Sequence, residues 1–316
     1  MKIFTSLSDV PADFGPSVVT IGKFDGVHEG HRAMVHRLRT TAAARGLASV
    51  VVTFDRNPLS LLRPEVCPEP LVSTEQKLDL LAATDPDATL VLTFDRSLAE
   101  ETPEEFVRTV LVEPLRAAVV LVGADFRFGA KGAGSVETLI ELGATHGFEV
   151  LVVDDVTAVD GRRVSSSWIR ELLSEGRVAE AARLLGAPHT IRGTVVHGHQ
   201  RGRQLGYPTA NLSREVDGFV PADGVYAAWL TARDIRYPAA VSIGNNPTFE
   251  GIVDRQIEAH AIDAAFDIYD EVVDVSFVEY IRGMRKFPGP DELAVQMGAD
   301  EDQIRTILGV PPKAHQ

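Results

Sequence analysis

Two histidines, His28 and His31, stand within Gly22-Lys23-Phe24-Asp25-Gly26-Val27-His28-Glu29-Gly30-His31, between a β-branched apolar run and a helical segment. Glycines at a strand-to-helix turn let the backbone approach a phosphate, and the free N–H groups at the helix N-terminus attract its charge. Imidazole donors added there can neutralise the charge that develops at an α-phosphate while pyrophosphate departs. Such a task is electrostatic stabilisation and needs no protein nucleophile. A lone His-x-Gly-His is weak, because histidines near a glycine are often surface residues or helix caps; the longer string is more specific.

A second constellation lies in the other half of the chain. Gly198-His199-Gln200-Arg201-Gly202-Arg203-Gln204-Leu205-Gly206 suits an anion-binding loop and runs directly into Tyr207-Pro208-Thr209-Ala210-Asn211-Leu212. Transfer of a γ-phosphate needs magnesium, a phosphate cradle and a base beside the accepting hydroxyl. Thr209 and Asn211 both carry oxygen ligands, and alternate residues of a strand face the same side, so the pair can share one Mg2+. Alone, a polar pair on a solvated strand face is the commoner explanation.

These residues need elements to hold them. Val18 to Ile21, Val50 to Phe54, Leu90 to Phe94, Val119 to Val122 and Val150 to Val153 read as buried strands. Helical segments such as Ala33 to Arg45 and Glu75 to Ala83 alternate with them, as in a parallel α/β sheet. Thr102-Pro103-Glu104-Glu105 is a capped helix start. A helical pair, Trp168 to Ser174 and Val178 to Leu185, closes this half, and Gly186 to His189 is the candidate linker. The expected domains are therefore residues 1–186 and 187–316. In the second, strand-like runs follow one another (Ile191 to His197, Gly206 to Leu212, Val225 to Thr231, Ala239 to Ile243, Gln256 to Ile262, Val272 to Ile281), as in an antiparallel barrel. Asp291 to Leu308 should pack on it as a helix.

Composition bounds the partners. The 316-residue chain exceeds what one core usually serves, and its net charge of −14 argues against a nucleic-acid partner, since phosphate-backbone affinity comes from clustered Lys and Arg. The lone Cys67 closes no intramolecular disulfide, and neither a secretory leader nor a membrane span is evident, so the expected location is cytoplasmic, with no membrane partner.

Taken whole, Gly-x-Phe-Asp-Gly-x-His-x-Gly-His resembles the nucleotidylyltransferase domain of the bacterial bifunctional riboflavin kinase/FAD synthetase family. The resemblance implies that His28 and His31 hold ATP phosphates and that Gly22, Phe24, Asp25 and Gly26 shape the loop, with packing or turn formation as the other role for Phe24 and Asp25. Gly123-Ala124-Asp125-Phe126-Arg127-Phe128-Gly129 resembles a family segment near the nucleotide and flavin sites, which implicates Asp125. Ser165-Ser166-Ser167-Trp168-Ile169-Arg170 is similar to the family's Ser-Ser-Thr-x-x-Arg element, so Ser165, Ser166 and Arg170 are expected on the triphosphate. Asn57 and Ser167 depart from the family's usual His and Thr.

In the second half, Gly206-Tyr207-Pro208-Thr209-Ala210-Asn211, Pro221-Ala222-Asp223-Gly224-Val225-Tyr226 and Ile243-Gly244-Asn245-Asn246-Pro247-Thr248-Phe249 resemble the riboflavin kinase domain. Gly198, Gly206, Pro208 and Thr209 then belong to the nucleotide site, Thr209 and Asn211 to the metal, and Glu258 is the catalytic base that takes a proton from the terminal ribityl hydroxyl. Arg282, Lys286 and Phe287 match the family's closing region, whereas Asp270 replaces a common Gly. The implied substrates are riboflavin, FMN and ATP. Two other readings stand beside this one: from the Asn57 and Ser167 departures, a kinase whose adenylyltransferase domain is lost or altered, and, of a different class, a flavin-responsive regulatory or binding protein without turnover.

Overall fold

The computed structural model describes residues 1–158, 161–197, 207–245, 255–264 and 267–312. The chain divides into two compact units, Met1–Ser166 and Ser167–Gln316.

The first unit carries β1 (Lys2–Phe4), β2 (Ser17–Ile21), β3 (Ala48–Phe54), β4 (Ala88–Leu92), β5 (Ala117–Gly123) and β6 (Glu149–Val153), in one sheet of order β1-β4-β3-β2-β5-β6. Every pairing is parallel. Apolar residues fill both faces because side chains alternate along a strand. Val18, Val51, Val119 and Leu121 join Val35, Leu38 and Ala42 of helix α1 (Glu29–Arg45) on one side. Val19, Val50, Val52, Val120 and Val122 pack with Phe106, Val107, Phe128 and Leu139 on the other. Two short helices follow, α2 (Pro58–Leu62) and α3 (Thr74–Ala82), then α4 (Arg96–Glu100), α5 (Pro103–Phe106) and α6 (Val136–His146). Thr102 caps α5 as its sequence predicts: its hydroxyl accepts from Glu105 N, and the Glu105 side chain returns to the Thr102 backbone. A π-helical stretch, Val107–Val112, then prolongs α5, burying Val107, Val110 and Leu111.

The second unit takes in α7 (Ser166–Ser174) apart from its first residue, then α8 (Val178–Leu185) and a closed barrel. Barrel strands β7 (His189–Val196), β8 (Ala210–Asp217), β9 (Gly224–Ala232), β10 (Ile235–Gly244), β11 (Gln256–Ala261) and β12 (Val272–Arg282) run in the order β10-β11-β8-β7-β12-β9. Closure leaves no unpaired edge. Ile191, Val195, Leu230, Val241, Ile243, Val275 and Phe277 fill the interior. Helix α9 (Pro290–Leu308) covers part of the outer wall, setting Ile304 against Ala227 and Ile262 with Ala240 and Ile281 beside them. Two ion pairs pin it, Arg282 with the buried Asp300 at 2.7 Å and the buried Arg305 with Asp263 at 2.6 Å, and Arg305 also pairs with Glu301 of its own helix at 2.8 Å. Arg282 is thus engaged with α9, while Lys286 is exposed and Phe287 buried.

Three sequence expectations change. The strand ending at Ile21 is second along the chain, because Lys2–Phe4 forms an edge strand on β4. Of the strand expected over Gly206 to Leu212, the described residues 207–209 precede β8, so Thr209 lies just outside it; Pro208 has no N–H to give a ladder. The helical pair falls within the second compact unit, where α8 packs on β12 and β7 and the Ala222 N–H donates to Leu173 O at 2.9 Å. Asp270 adopts a φ of 64°, keeping the left-handed turn that Gly would take.

Candidate active sites

The parallel sheet delivers the loops after β2, β3, β5 and β6 to one edge, where open α/β sheets bind ligands. After β2 the chain turns through Phe24 (φ 50°), Gly26 (φ 79°) and Val27 (φ 40°), with the Val27 N–H returning to Phe24 O at 3.2 Å. Phe24 is fully buried in the core beneath the loop. A Cβ on Gly22 would come within 3.0 Å of its ring, so Gly22 must remain small. Phe24 therefore supports the loop from below. The Asp25 carboxylate accepts the Leu71 N–H at 2.9 Å, and Asp25 O accepts the Ser166 hydroxyl at 2.9 Å.

His28 is the N-cap of α1, and His31 follows in its first turn. Their rings stack with centroids 3.7 Å apart, and Phe24 lies against His31 at 5.0 Å. Nδ1 of each histidine is buried with no hydrogen-bond partner among the described residues. Burial, with a lesser contribution from the Arg163 charge, lowers the His28 pKa to about 4. Burial, then His28 and Arg163, hold His31 well below the ordinary imidazole range. Two neutral rings with unsatisfied nitrogens at a helix N-terminus suit an anion that supplies both hydrogen bonds and counter-charge.

Around them, Arg163 reaches Asp125 at 2.7 Å and Asp155 at 3.0 Å. The bond from Arg163 lowers the Asp125 pKa. Lys77 is buried and donates to Phe54 O at 2.6 Å; burial lowers its pKa against the opposing pull of Asp25 and Asp55. Asn57 caps α2, accepting the Leu59 N–H at 3.1 Å, which accounts for an amide there. Phe126 and Phe128 stack at 5.5 Å within the core. Ser165 is half-buried and Ser167 exposed. Arg170 lies on α7 within the second unit.

On the barrel, Glu258 of β11 faces Asn211 of β8 directly across the ladder, and Ser242 of β10 faces Glu258 from the other side. Ile257, Ala259, Val241 and Ile243 are buried inside, so this polar row points outward. Side chains directly opposite in an antiparallel pair have Cβ atoms about 5 Å apart, close enough to act on one group. Thr209 precedes β8 by one residue. His260 Nδ1 donates to Pro208 O at 2.8 Å, and Tyr207 packs edge-on against the His260 ring at 5.3 Å. Gly198, Gly206 and the Asn246 to Phe249 part of the third motif lie outside the described residues.

The FAD synthetase family matches residues 10–168, and the riboflavin kinase family matches residues 185–308. A bifunctional riboflavin kinase/FMN adenylyltransferase of Escherichia coli (strain K12) is 37% identical over 312 residues, covering 98% of this chain and 97% of that protein. The chain belongs to the bifunctional riboflavin kinase/FMN adenylyltransferase family. Its Pseudomonas fluorescens relative is 34% identical with both chains covered fully, and the Listeria monocytogenes relative is 36% identical over 92% of each. A crystal structure from Streptococcus pneumoniae, described as a macrolide-efflux protein, superposes with a TM-score of 0.84 at 33% identity over 96% of this chain and 98% of that one. Among the described residues, no helix is long and apolar enough to cross a membrane.

As a riboflavin kinase/FMN adenylyltransferase, the chain phosphorylates riboflavin to FMN and adenylylates FMN to FAD, with ATP as co-substrate. In this bifunctional enzyme, the structure gathers Gly22, Phe24, Asp25, Gly26, His28, His31 and Ser166 around one loop, and Asn211 with Glu258 on one strand pair. Sequence reasoning missed Arg163, Lys77, Ser242 and His260. His260 was visible beside Glu258; Arg163, Lys77 and Ser242 gain meaning only from partners distant in the chain.

Proposed function

We propose that adenylyl transfer is carried by His28 and His31 and kinase chemistry by Glu258, Asn211 and Thr209, each in its own domain. The observation supporting the first half is the stacked histidine pair with buried, unpartnered Nδ1 atoms at the start of α1. A triphosphate laid there receives N–H groups of the helix terminus, and the imidazoles stabilise charge at the α-phosphate as the FMN phosphate attacks and pyrophosphate leaves. Gly22 and Gly26 let the backbone come close. Ser165, Ser166 and Asp125 complete the nucleotide site within the first unit.

The register of Glu258 opposite Asn211 supports the second half. Glu258, as base, takes the proton of the terminal ribityl hydroxyl while that oxygen attacks the γ-phosphorus of ATP and the bond to the bridging oxygen breaks, releasing ADP. The amide oxygen of Asn211 and the hydroxyl of Thr209 are hard, neutral donors, which suit Mg2+ with phosphate oxygens and water completing its shell. Bound there, magnesium would neutralise phosphate charge. Gly198, Gly206 and Pro208 belong to the adjoining phosphate loop.

Purified protein incubated with riboflavin and ATP, with the flavins then separated, tests the metal role. Chelation should stop FMN formation and added Mg2+ should restore it. Undiminished FMN formation in excess chelator would overturn that role.

A further inference from the structure

The pairing of β11 with β8 stops one rung short of where its register points. Glu258 pairs with Asn211 and Ala259 with Ala210. The following rung would set His260 opposite Thr209, yet β8 begins at Ala210. In place of that rung, the His260 ring reaches back one residue and donates from Nδ1 to Pro208 O at 2.8 Å. Pro208 has no N–H, so its carbonyl is the backbone group on this residue that a partner can hold.

His260 is well placed to hold it. The residue is only 9% exposed. It points outward like Glu258, two positions earlier, while Ala259 between them faces the barrel interior. The Tyr207 ring stands edge-on against it at 5.3 Å. The Tyr207 hydroxyl in turn lies 3.4 Å from the position a Cβ on Gly298 of α9 would take. Thr209 is therefore fixed on both sides, by a side-chain bond to the residue before it and by the ladder at the residue after it.

We propose that His260 is a positioning residue for riboflavin phosphorylation, holding the Pro208 carbonyl so that Thr209 is set beside Asn211 and Glu258. This rests on the metal reading of Thr209 and Asn211. A donor aligned in advance removes the ordering cost that a free segment would meet at each binding event.

The test compares wild-type enzyme with His260→Phe, His260→Asn and Thr209→Ala, measuring kinase kcat, KM for ATP and the Mg2+ concentration giving half-maximal rate. Phe keeps a ring against Tyr207 but has no donor, whereas the Asn amide can restore an N–H near the Nδ1 position. Loss of one hydrogen bond worth ~1 kcal/mol corresponds to a several-fold change, so His260→Phe should raise the Mg2+ requirement roughly 5- to 10-fold. His260→Asn should recover most of that change, and all variants should adenylylate added FMN at the wild-type rate. A wild-type Mg2+ requirement in His260→Phe beside an impaired Thr209→Ala would overturn the inference alone. Equal loss in the Phe and Asn variants would also overturn it. An unimpaired Thr209→Ala would overturn the metal reading and the inference together.

Discussion

His28 and His31 lie face to face, with ring planes inclined by 16° and centroids 3.7 Å apart. Two imidazolium ions cannot share so close and buried a contact without a counter-charge, and burial accordingly lowers both pKa values, that of His28 to about 4. A bound triphosphate supplies the counter-charge and should pull both values upward. ATP binding near pH 6 is therefore expected to take up protons. Titration calorimetry in buffers of different ionisation enthalpy measures this uptake, which should shrink in His28→Asn/His31→Asn; uptake that is unchanged in the variant would place the titrating groups elsewhere.

Stability should depend on the same rings. Both folded-state pKa values lie below the unfolded value near 6.5, and with that of His28 at about 4 the unfolded chain binds more protons between about pH 6.5 and 4. Stability is then fully present above that window and falls as pH drops through it. Buried His189, whose pKa burial also lowers to about 4, adds to the effect from the barrel side. His28 and His189 should each cost about 1 kcal/mol between pH 7.5 and 5.5, and His31 acts in the same direction. Denaturant midpoints at the two pH values check this, and a flatter profile is expected for the double Asn variant.

The barrel should need its helical pair. Val178, Ala181, Leu184 and Leu185 of α8 are buried, and Leu173 O accepts the Ala222 N–H. We propose that a fragment starting at Ser167 folds and phosphorylates riboflavin. One starting at Pro188, though it contains every barrel strand, exposes the wall that α8 covers and should melt lower and aggregate. Equal melting temperatures for the two fragments would remove any stabilising role for α7 and α8.

Much of this architecture was legible because its causes are local. Continuous β-branched runs announced β2 to β6, and Thr102 with Glu105 announced the start of α5. The edge strand Lys2–Phe4 is too short to show a period, and the π-helical Val107–Val112 has no distinct sequence signature. Gly186 ends α8 in the left-handed conformation, as a terminating glycine does. At the sites, motif residues were readable while their supports were not. The packing of Phe24 beneath the loop, the ion pairs of Arg163 with Asp125 and Asp155, and the register of Ser242 with Glu258 each depend on chain segments brought together by folding.

The separation of the two chemistries is tested most directly by supplying riboflavin or FMN, with ATP and Mg2+, to folded His28→Ala/His31→Ala and Glu258→Gln enzymes and resolving the flavins chromatographically. Removing both imidazoles takes away stabilisation at the α-phosphate, so the first variant should convert riboflavin to FMN and stop, with FAD formation reduced at least 100-fold, the scale seen when transition-state donors are lost. Glu258→Gln keeps the shape without the base, so riboflavin should remain unphosphorylated while added FMN still becomes FAD. Normal FAD formation by the double-histidine variant would contradict the adenylylation site, and undiminished FMN formation by Glu258→Gln would contradict the kinase site.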